Sequence, residues 1–487
     1  MAATKVRLEF GPWEPDAALL DGAQVPQARN VVPARRGYRP LNGLADLQFG
    51  PLPERVRAAF SRRDGEDLLT FAATEGGIFA LEAGAWEQKF RGDAVSEGRV
   101  FVSYGASVYA LFGRTLLKAG IEGGVSGEFS AVSGAPGAEV LGVVRDFLVL
   151  GRLSDHPGGI QWSGLDRPDQ WPAIGTDEAQ FVQSDRQIFP VGGRVQSIVG
   201  GVGGVDGLIF LEDGIQRMTY VGAPYIFQFD PVDRERGLLA PASAVVAGAQ
   251  CFYLSEDGWR ATDGASVRHV GAERVDQWFF EQCDSSRMSE VRGVHDMKNH
   301  LILWSFPTPT APSGVHDGLL VYSYALDRWS FGELRVETLF TDCTRGVSLE
   351  DLDRFGPLSG LPFASLDSGS LRPGRLGVFA VDEGHRLASL SGPALEAVID
   401  TAEQGGQRVM CHGFRPLVDG AAAEAMPLFR ARQMDERRGG VYSAPQRDGF
   451  CPQHLSTVYL AARVRIPGGS SWRSALGVEA LVEPERA

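Results

Sequence analysis

One phrase keeps returning along this chain: a short apolar run, a tight turn rich in glycine and acid, and a second short run. Phe252–Gly264 reads FYLSEDGWRATDG, and versions recur in FAATEGGIFALEAG from Phe71, IFLEDGIQRMTYVG from Ile209 and FAVDEGHRLASLSG from Phe379. Aromatic and β-branched residues suit a pleated surface, while Gly and Asp tolerate turn dihedrals, so each phrase specifies two antiparallel strands. LLTFAA, IFAL, VFVSYG, SVYALF, FLVLGR and IQWSG read the same way. Few windows hold an apolar face at 3.6-residue spacing for ten residues, so helices should be scarce.

Successive units start near Phe71, Phe101, Phe147, Ile209, Phe252, Leu301 and Phe379. Their mean spacing of about 50 residues matches a four-stranded propeller blade, with uneven gaps that imply insertions. A small twisted sheet cannot bury both faces alone, whereas a ring of such sheets can. The expected fold is therefore all-β: an irregular β-propeller of about six blades with insertions and an additional C-terminal β-domain. A string of β-sandwiches is the alternative. Residues 1–60, broken by prolines at 12, 15, 26, 33 and 40, read as an extended arm with an edge strand. Residues 61–395 are the expected propeller with inserted loops. Residues 396–487, where the turn phrase fades, read as a C-terminal β-sandwich-like domain. Two short helical patterns stand out, 271–283 with Val275, Trp278, Phe279 and Gln282 in register, and 346–356 with Ser348 placed to cap.

Glycine, at 61 of 487 residues, is nearly twice its usual share and supplies the turns. The formal charge of −14 gives no general electrostatic reason to wrap DNA. Five scattered cysteines without a CxxC predict buried, reduced thiols. The N-terminus MAATKVRLEFGPWEPD lacks a signal-peptide core and no apolar run reaches membrane-spanning length, so a soluble protein made in a cytoplasm is expected.

The motifs of catalysis do not assemble. His295 and His300 are five apart and match no metal-ligand spacing, VGGVGGVDG at 199–207 is not followed by Gly-Lys-Ser or Gly-Lys-Thr, and no G-x-S-x-G occurs. Carboxylates such as Glu256 and Asp257, or Glu212 and Asp213, sit in turns, where acidic residues are good turn chemistry. The expectation is no catalytic, metal or cofactor-binding residue, no cofactor and no enzyme.

Two groups of residues remain. Arg29, Arg35, Arg36 and Arg39 gather in the N-terminal arm of an otherwise acidic chain. They suit phosphate binding, a clamp on a neighbouring acidic subunit, or a solvated loop; the rigid guanidinium fork favours the clamp or phosphate binding in an ordered arm, with the clamp ranked first. Asp257, Gly258 and Trp259, with Asp327, Arg328 and Trp329, read as a turn-and-packing signature in which an aromatic plugs the sheet after a turn.

The wording of FGPWEPDAALLDG with ARNVVPARRGYRPLNGL, of IFLEDGIQRMTYVGAPYIFQFDPVDRERGLLAP, of FYLSEDGWRATDGASVRHVGAERVDQWFF and of LLVYSYALDRWSF resembles the β-propeller tail nozzle, tail hub and packaged-DNA stabilisation proteins of short-tailed bacteriophages. That resemblance implies a structural virion protein forming a homohexameric ring below the portal and head-to-tail adaptor. It would carry fibres or spikes, gate the DNA exit channel, and let double-stranded DNA through the lumen without sequence-specific binding. It also implies assembly in the host bacterial cytoplasm and residence in the virion tail. The irregular gaps around 155–205 and 325–375 are where fibre-binding or channel-facing loops would emerge. The alternatives are a carbohydrate-binding or hydrolysing tail protein of propeller type and a connector at the distal tip of a long tail.

Overall fold

A computed structural model describes residues 3–17, 23–64, 67–82, 84–92, 101–343 and 376–485. Within them the repeated phrase becomes a series of antiparallel meanders. The first sheet runs Val56–Asp64, Asp67–Thr74, Gly77–Glu82 and Ala85–Arg91. The second is built on Phe101–Tyr104, Ser107–Phe112 and Thr115–Glu122 with two short strands at its edge. Val140–Val144, Phe147–Gly151, Gly159–Trp162 and Arg186–Ile188 form the third, and Val195–Val202 through Ile226–Asp233 the fourth. Val245–Ala247, Gln250–Ser255, Gly258–Thr262 and Val267–His269 form the fifth.

The turn chemistry is visible at Gly258. Its φ of +126° lies where side chains are strained, and a Cβ there would stand 2.1 Å from Asp276 Oδ2, so only glycine fits after Glu256-Asp257. The 199–207 glycines serve the turn between two strands of the fourth sheet and its close packing. A Cβ on Gly200 would lie 2.2 Å from the Val143 carbonyl oxygen of the third sheet.

Each sheet buries its faces against its neighbours, as the logic of small sheets requires. Phe71 and Ala80 of the first share a core with Val108 and Leu117 of the second, and Tyr109 and Leu111 with Leu148 and Leu150 of the third. Trp162 meets Met218 and Phe227 of the fourth, and Phe210 meets Tyr253 of the fifth. Phe79 and Leu81 of the first sheet pack with Val381 and with Phe340, Phe379 and Leu387 from later in the chain.

The remaining strands change the expected picture. Seventeen of them, from the N-terminal arm, from 292–389 and from the C-terminal segment, belong to one hydrogen-bonded sheet. The irregular propeller of about six blades with an additional C-terminal β-domain is thereby corrected: the fold is all-β with several small antiparallel sheets, and among the described residues no sheet is closed into a propeller or barrel. The cause is the 16-residue strand Arg328–Cys343, whose first half pairs with His316–Ser323 and whose second half pairs with Leu376–Asp382. Register shifts at Val336 bend it from one set to the next without a break in hydrogen bonding. A turn phrase specifies a hairpin but not how many hairpins share a sheet.

The arm is woven into this sheet. Thr4–Glu9 pairs with Ser474–Pro484, Arg29 with both Phe331 and Val398, and Ala45–Pro51 with Arg386–Ser389. Trp13 is fully buried and stands edge-on to Trp278 at 4.7 Å. The C-terminal strands Gln404–Asp419, Glu424–Arg430 and Cys451–Ile466 are joined to the body through Ala397–Asp400, which Arg29 also borders. Two α-helices occur among the described residues, Asp177–Val182 and Asp276–Gln282. The second falls within the expected 271–283 pattern, while 346–356 lies outside the described residues, as does most of the 325–375 gap. Cys251, Cys283, Cys411 and Cys451 are buried thiols outside any disulfide.

Candidate functional site

The structure divides the arginine cluster. Arg29 turns inward and holds Glu333 at 3.2 Å and Glu396 at 3.4 Å. Arg35 and Arg36 instead occupy the tip of the hairpin formed by Val31–Pro33 and Tyr38–Pro40, exposed and without an ion pair to any described residue; Arg39 is exposed on its second strand. That tip is held firmly. Gly37 at φ +65° sits against Ala475, where a Cβ would come within 1.9 Å of the carbonyl oxygen. Burial pushes the Tyr38 hydroxyl up to about 12, and the hydroxyl donates to the Gly11 carbonyl at 2.8 Å.

Arg328 and Asp327, read from the sequence as residues of a turn, sit in a larger network. Arg328 donates to the carbonyls of Ala34 at 2.7 Å and Gly11 at 2.8 Å and lies over the Tyr38 ring. Asp327, at φ +51°, accepts from the Tyr322 hydroxyl at 2.8 Å and from Arg274 at 2.9 Å. Arg274 in turn reaches Glu14 of the arm. The pair therefore fixes the arm across some three hundred residues of sequence, a role that only long-range packing reveals. Trp329 is fully buried, 4.3 Å from Tyr322, and Trp259 is fully buried 4.1 Å from Trp304. Asp257 binds Arg236 and Arg260.

Beside Trp259 lies an acid that sequence reading passed over. Asp276 is 8 % exposed; its Oδ1 accepts from the Trp259 amide at 3.0 Å and its Oδ2 has no hydrogen-bond partner among the described residues. Burial raises its pKa to about 7, with Asp16 and Asp257 adding to the rise and the Trp259 amide and Arg260 opposing it. Its folded value lies above its ordinary 3.8, so the stability it confers is complete below the ordinary value and is lost as pH rises through about 7. The slope from this group reaches about 1.4 kcal/mol per pH unit within that window. Asp276→Asn is expected to flatten the dependence, so that urea midpoints of variant and parent converge at low pH and the variant gains relative stability at pH 8.

The nearest approach to catalytic geometry is a line of three residues that no motif announces. Ser305 Oγ lies 2.9 Å from His316 Nδ1, and His316 Nε2 lies 3.8 Å from Glu290 Oε2, which also holds Arg287 at 2.9 Å. The serine is 0 % exposed and the histidine 1 %, so the hydroxyl has no path to a substrate. Burial lowers the His316 pKa, and the line works as an internal polar tie. Its members meet because Leu301–Phe306 and His316–Ser323 pair across a long loop, for which the sequence carries no signal. His295 and His300, weighed above as metal ligands, both lie 3.1 Å from the Tyr324 hydroxyl, and no metal-ligand group forms among the described residues.

A cavity of about 710 Å³ opens among strands from every sheet, including Phe60, Phe101, Val143, Val245 and Phe340. Its described charged and titratable lining is Arg145, Arg292 and His295. Arg145 is stacked over Tyr220 and lies 3.6 Å from Asp206, so it is already engaged.

No family model matches the chain, and no curated protein matches it. Among solved structures, Hsv2 of Kluyveromyces lactis is similar at 9% identity over 56% of this chain and 83% of that one, with a TM-score of 0.32. Apo AztD of Citrobacter koseri is similar at 12% identity over 57% of this chain and 86% of that one, with a TM-score of 0.33. Likeness this loose carries no argument about function. Neither a family model nor a curated protein supplies a relative for the phage and propeller reading expected from the sequence.

Proposed function

We propose that the chain is a structural, self-associating subunit whose work is mechanical, in a ring of identical copies of the kind its wording resembles in tail nozzle and hub proteins. In that reading the ring sits in a virion tail below an adaptor, carries fibres or spikes, and lets double-stranded DNA through without sequence-specific contact. The observation that supports it is the Arg35–Arg36 tip: two exposed cations without an ion pair among the described residues, on a hairpin fixed to the body by Arg328, Tyr38 and Gly37. Holding such groups on a rigid support lowers the entropy lost when a partner binds, which is what a subunit contact needs. A closed ring places this patch against a different patch on the next copy.

Arg35→Ala with Arg36→Ala tests this. Light scattering should show the parent above monomer mass, with rings in negative-stain images, and the variant shifted to monomer with an unchanged urea midpoint. Unchanged ring formation by the variant, or a monomeric parent at every concentration, would sink the proposal.

A further inference from the structure

The self-association proposed above requires a receptor for the arginine tip, and we infer that it is the acidic, aromatic groove between the helix Asp276–Gln282 and the strands His316–Ser323 and Arg328–Cys343 of a second copy. This inference rests on that reading and adds the surface that completes it.

The groove has a volume of about 630 Å³. Its aromatic wall is Trp278, Phe306 and Phe331; Trp278 and Phe331 are half-buried with ring centroids 5.0 Å apart, and Phe306 stands 6.5 Å from Trp278. Its rim carries the carboxylates of Glu281, Asp317 and Glu333. The one guanidinium on the rim, Arg335, is drawn off to Glu383 at 3.4 Å. Glu333 is partly answered by Arg29 of its own chain, but Glu281 accepts only from the neutral Gln277 amide at 2.9 Å, and Asp317 only from Thr308, through its amide and hydroxyl at 2.8 Å each. Glu281 and Asp317 therefore have no ion pair among the described residues, and the charge of Asp317 is felt by the more distant Arg287.

Flat aromatic faces beside carboxylates suit a guanidinium, which stacks on the one and forks to the other. The exposed, structurally supported guanidinium pair described above is the hairpin tip, so charge complementarity selects a second copy of this chain as the occupant. Placement agrees. In the ladder of the two strands Ser323 faces Arg328, which holds the hairpin tip, whereas the groove takes Asp317, Gly318 and Phe331–Arg335 towards the opposite end, where His316 faces Val336. Two complementary patches at opposite ends of one rigid element are the arrangement a head-to-tail contact uses.

The test uses two full-length variants, each removing one half of the contact: Arg35→Ala with Arg36→Ala at the tip, and Glu281→Lys with Glu333→Gln in the groove. Glu333→Gln retains an acceptor for Arg29. Urea midpoints matching the parent establish that both fold. The parent is expected to assemble, less so at high salt, and each variant alone to run as a monomer. Mixed in equal amounts the variants should double in mass to a dimer and stop, because the intact tip of one fits the intact groove of the other and no further site remains. A groove variant that assembles like the parent while the tip variant does not would overturn the groove and leave the proposed self-association standing. A parent that stays monomeric defeats the self-association itself, and the groove with it.

Discussion

Trp259→Ala is expected to cost about 3–5 kcal/mol, read as a lowered urea midpoint and loss of near-ultraviolet signal. Trp259 is fully buried at the meeting of the fifth sheet, the helix Asp276–Gln282 and the large sheet, with ring centroids at 4.1 Å to Trp304, 5.0 Å to Phe279 and 6.4 Å to Trp329. Truncation leaves a void that rigid aromatic neighbours cannot collapse into, which places the cost at the upper end of core substitutions. Trp259→Phe should cost much less, about 1–2 kcal/mol. It keeps most of the ring and removes an indole N–H that finds no acceptor among the described residues. Equal losses from the two variants would show that the site relaxes freely and that this junction is not tightly packed.

Arg463→Leu is expected to be as damaging for an electrostatic reason. The Asp400 side chain is fully buried and meets Arg463 through two hydrogen bonds, at 2.6 and 2.8 Å. Removing one partner of a buried pair strands the other charge, at about 3–5 kcal/mol. Burial already raises the Asp400 pKa against the pull of Arg463, so its folded value lies above its ordinary one. Its stability contribution is therefore full at low pH and lost as pH rises, by a larger total once the guanidinium is gone. The deficit of Arg463→Leu should thus be largest at pH 8 and shrink at pH 5, as the stranded acid takes up a proton. Adding Asp400→Asn should recover much of it at pH 8. A loss independent of pH, unrelieved by the second change, would place the damage in lost packing of the arginine stem.

These two sites differ in how legible they are. Trp259 follows Asp257-Gly258, and the turn phrase marks an aromatic that enters the sheet straight after a glycine turn. Nothing near Asp400 or Arg463 announces a pair: they meet because Ala397–Asp400 lies along Cys451–Ile466. The same contrast separates the arginines. Four of them form one basic cluster in the sequence, yet Arg29 is committed to Glu333 and Glu396, residues that reach it only through the large sheet. The groove around Trp278 was equally hidden, since its walls come from a helix, a loop and three strands that no local pattern links.

What this sequence determined by itself is local: short apolar runs of four to six residues that form strands, turns closed by Gly and Asp, few helices, and buried thiols. Side-chain shape, turn dihedrals and period-two burial act within a few residues, so their outcome can be read without a partner. Tertiary structure alone decided that Arg328–Cys343 bends through two strand sets, and that the arm and C-terminal segment join one seventeen-stranded sheet in place of closed blades. It also decided that Ser305 and His316 are sealed while Arg35 and Arg36 stand free of ion pairs among the described residues. Those outcomes turn on which distant surfaces exclude water together, a competition among the whole set of sheets that no single segment encodes.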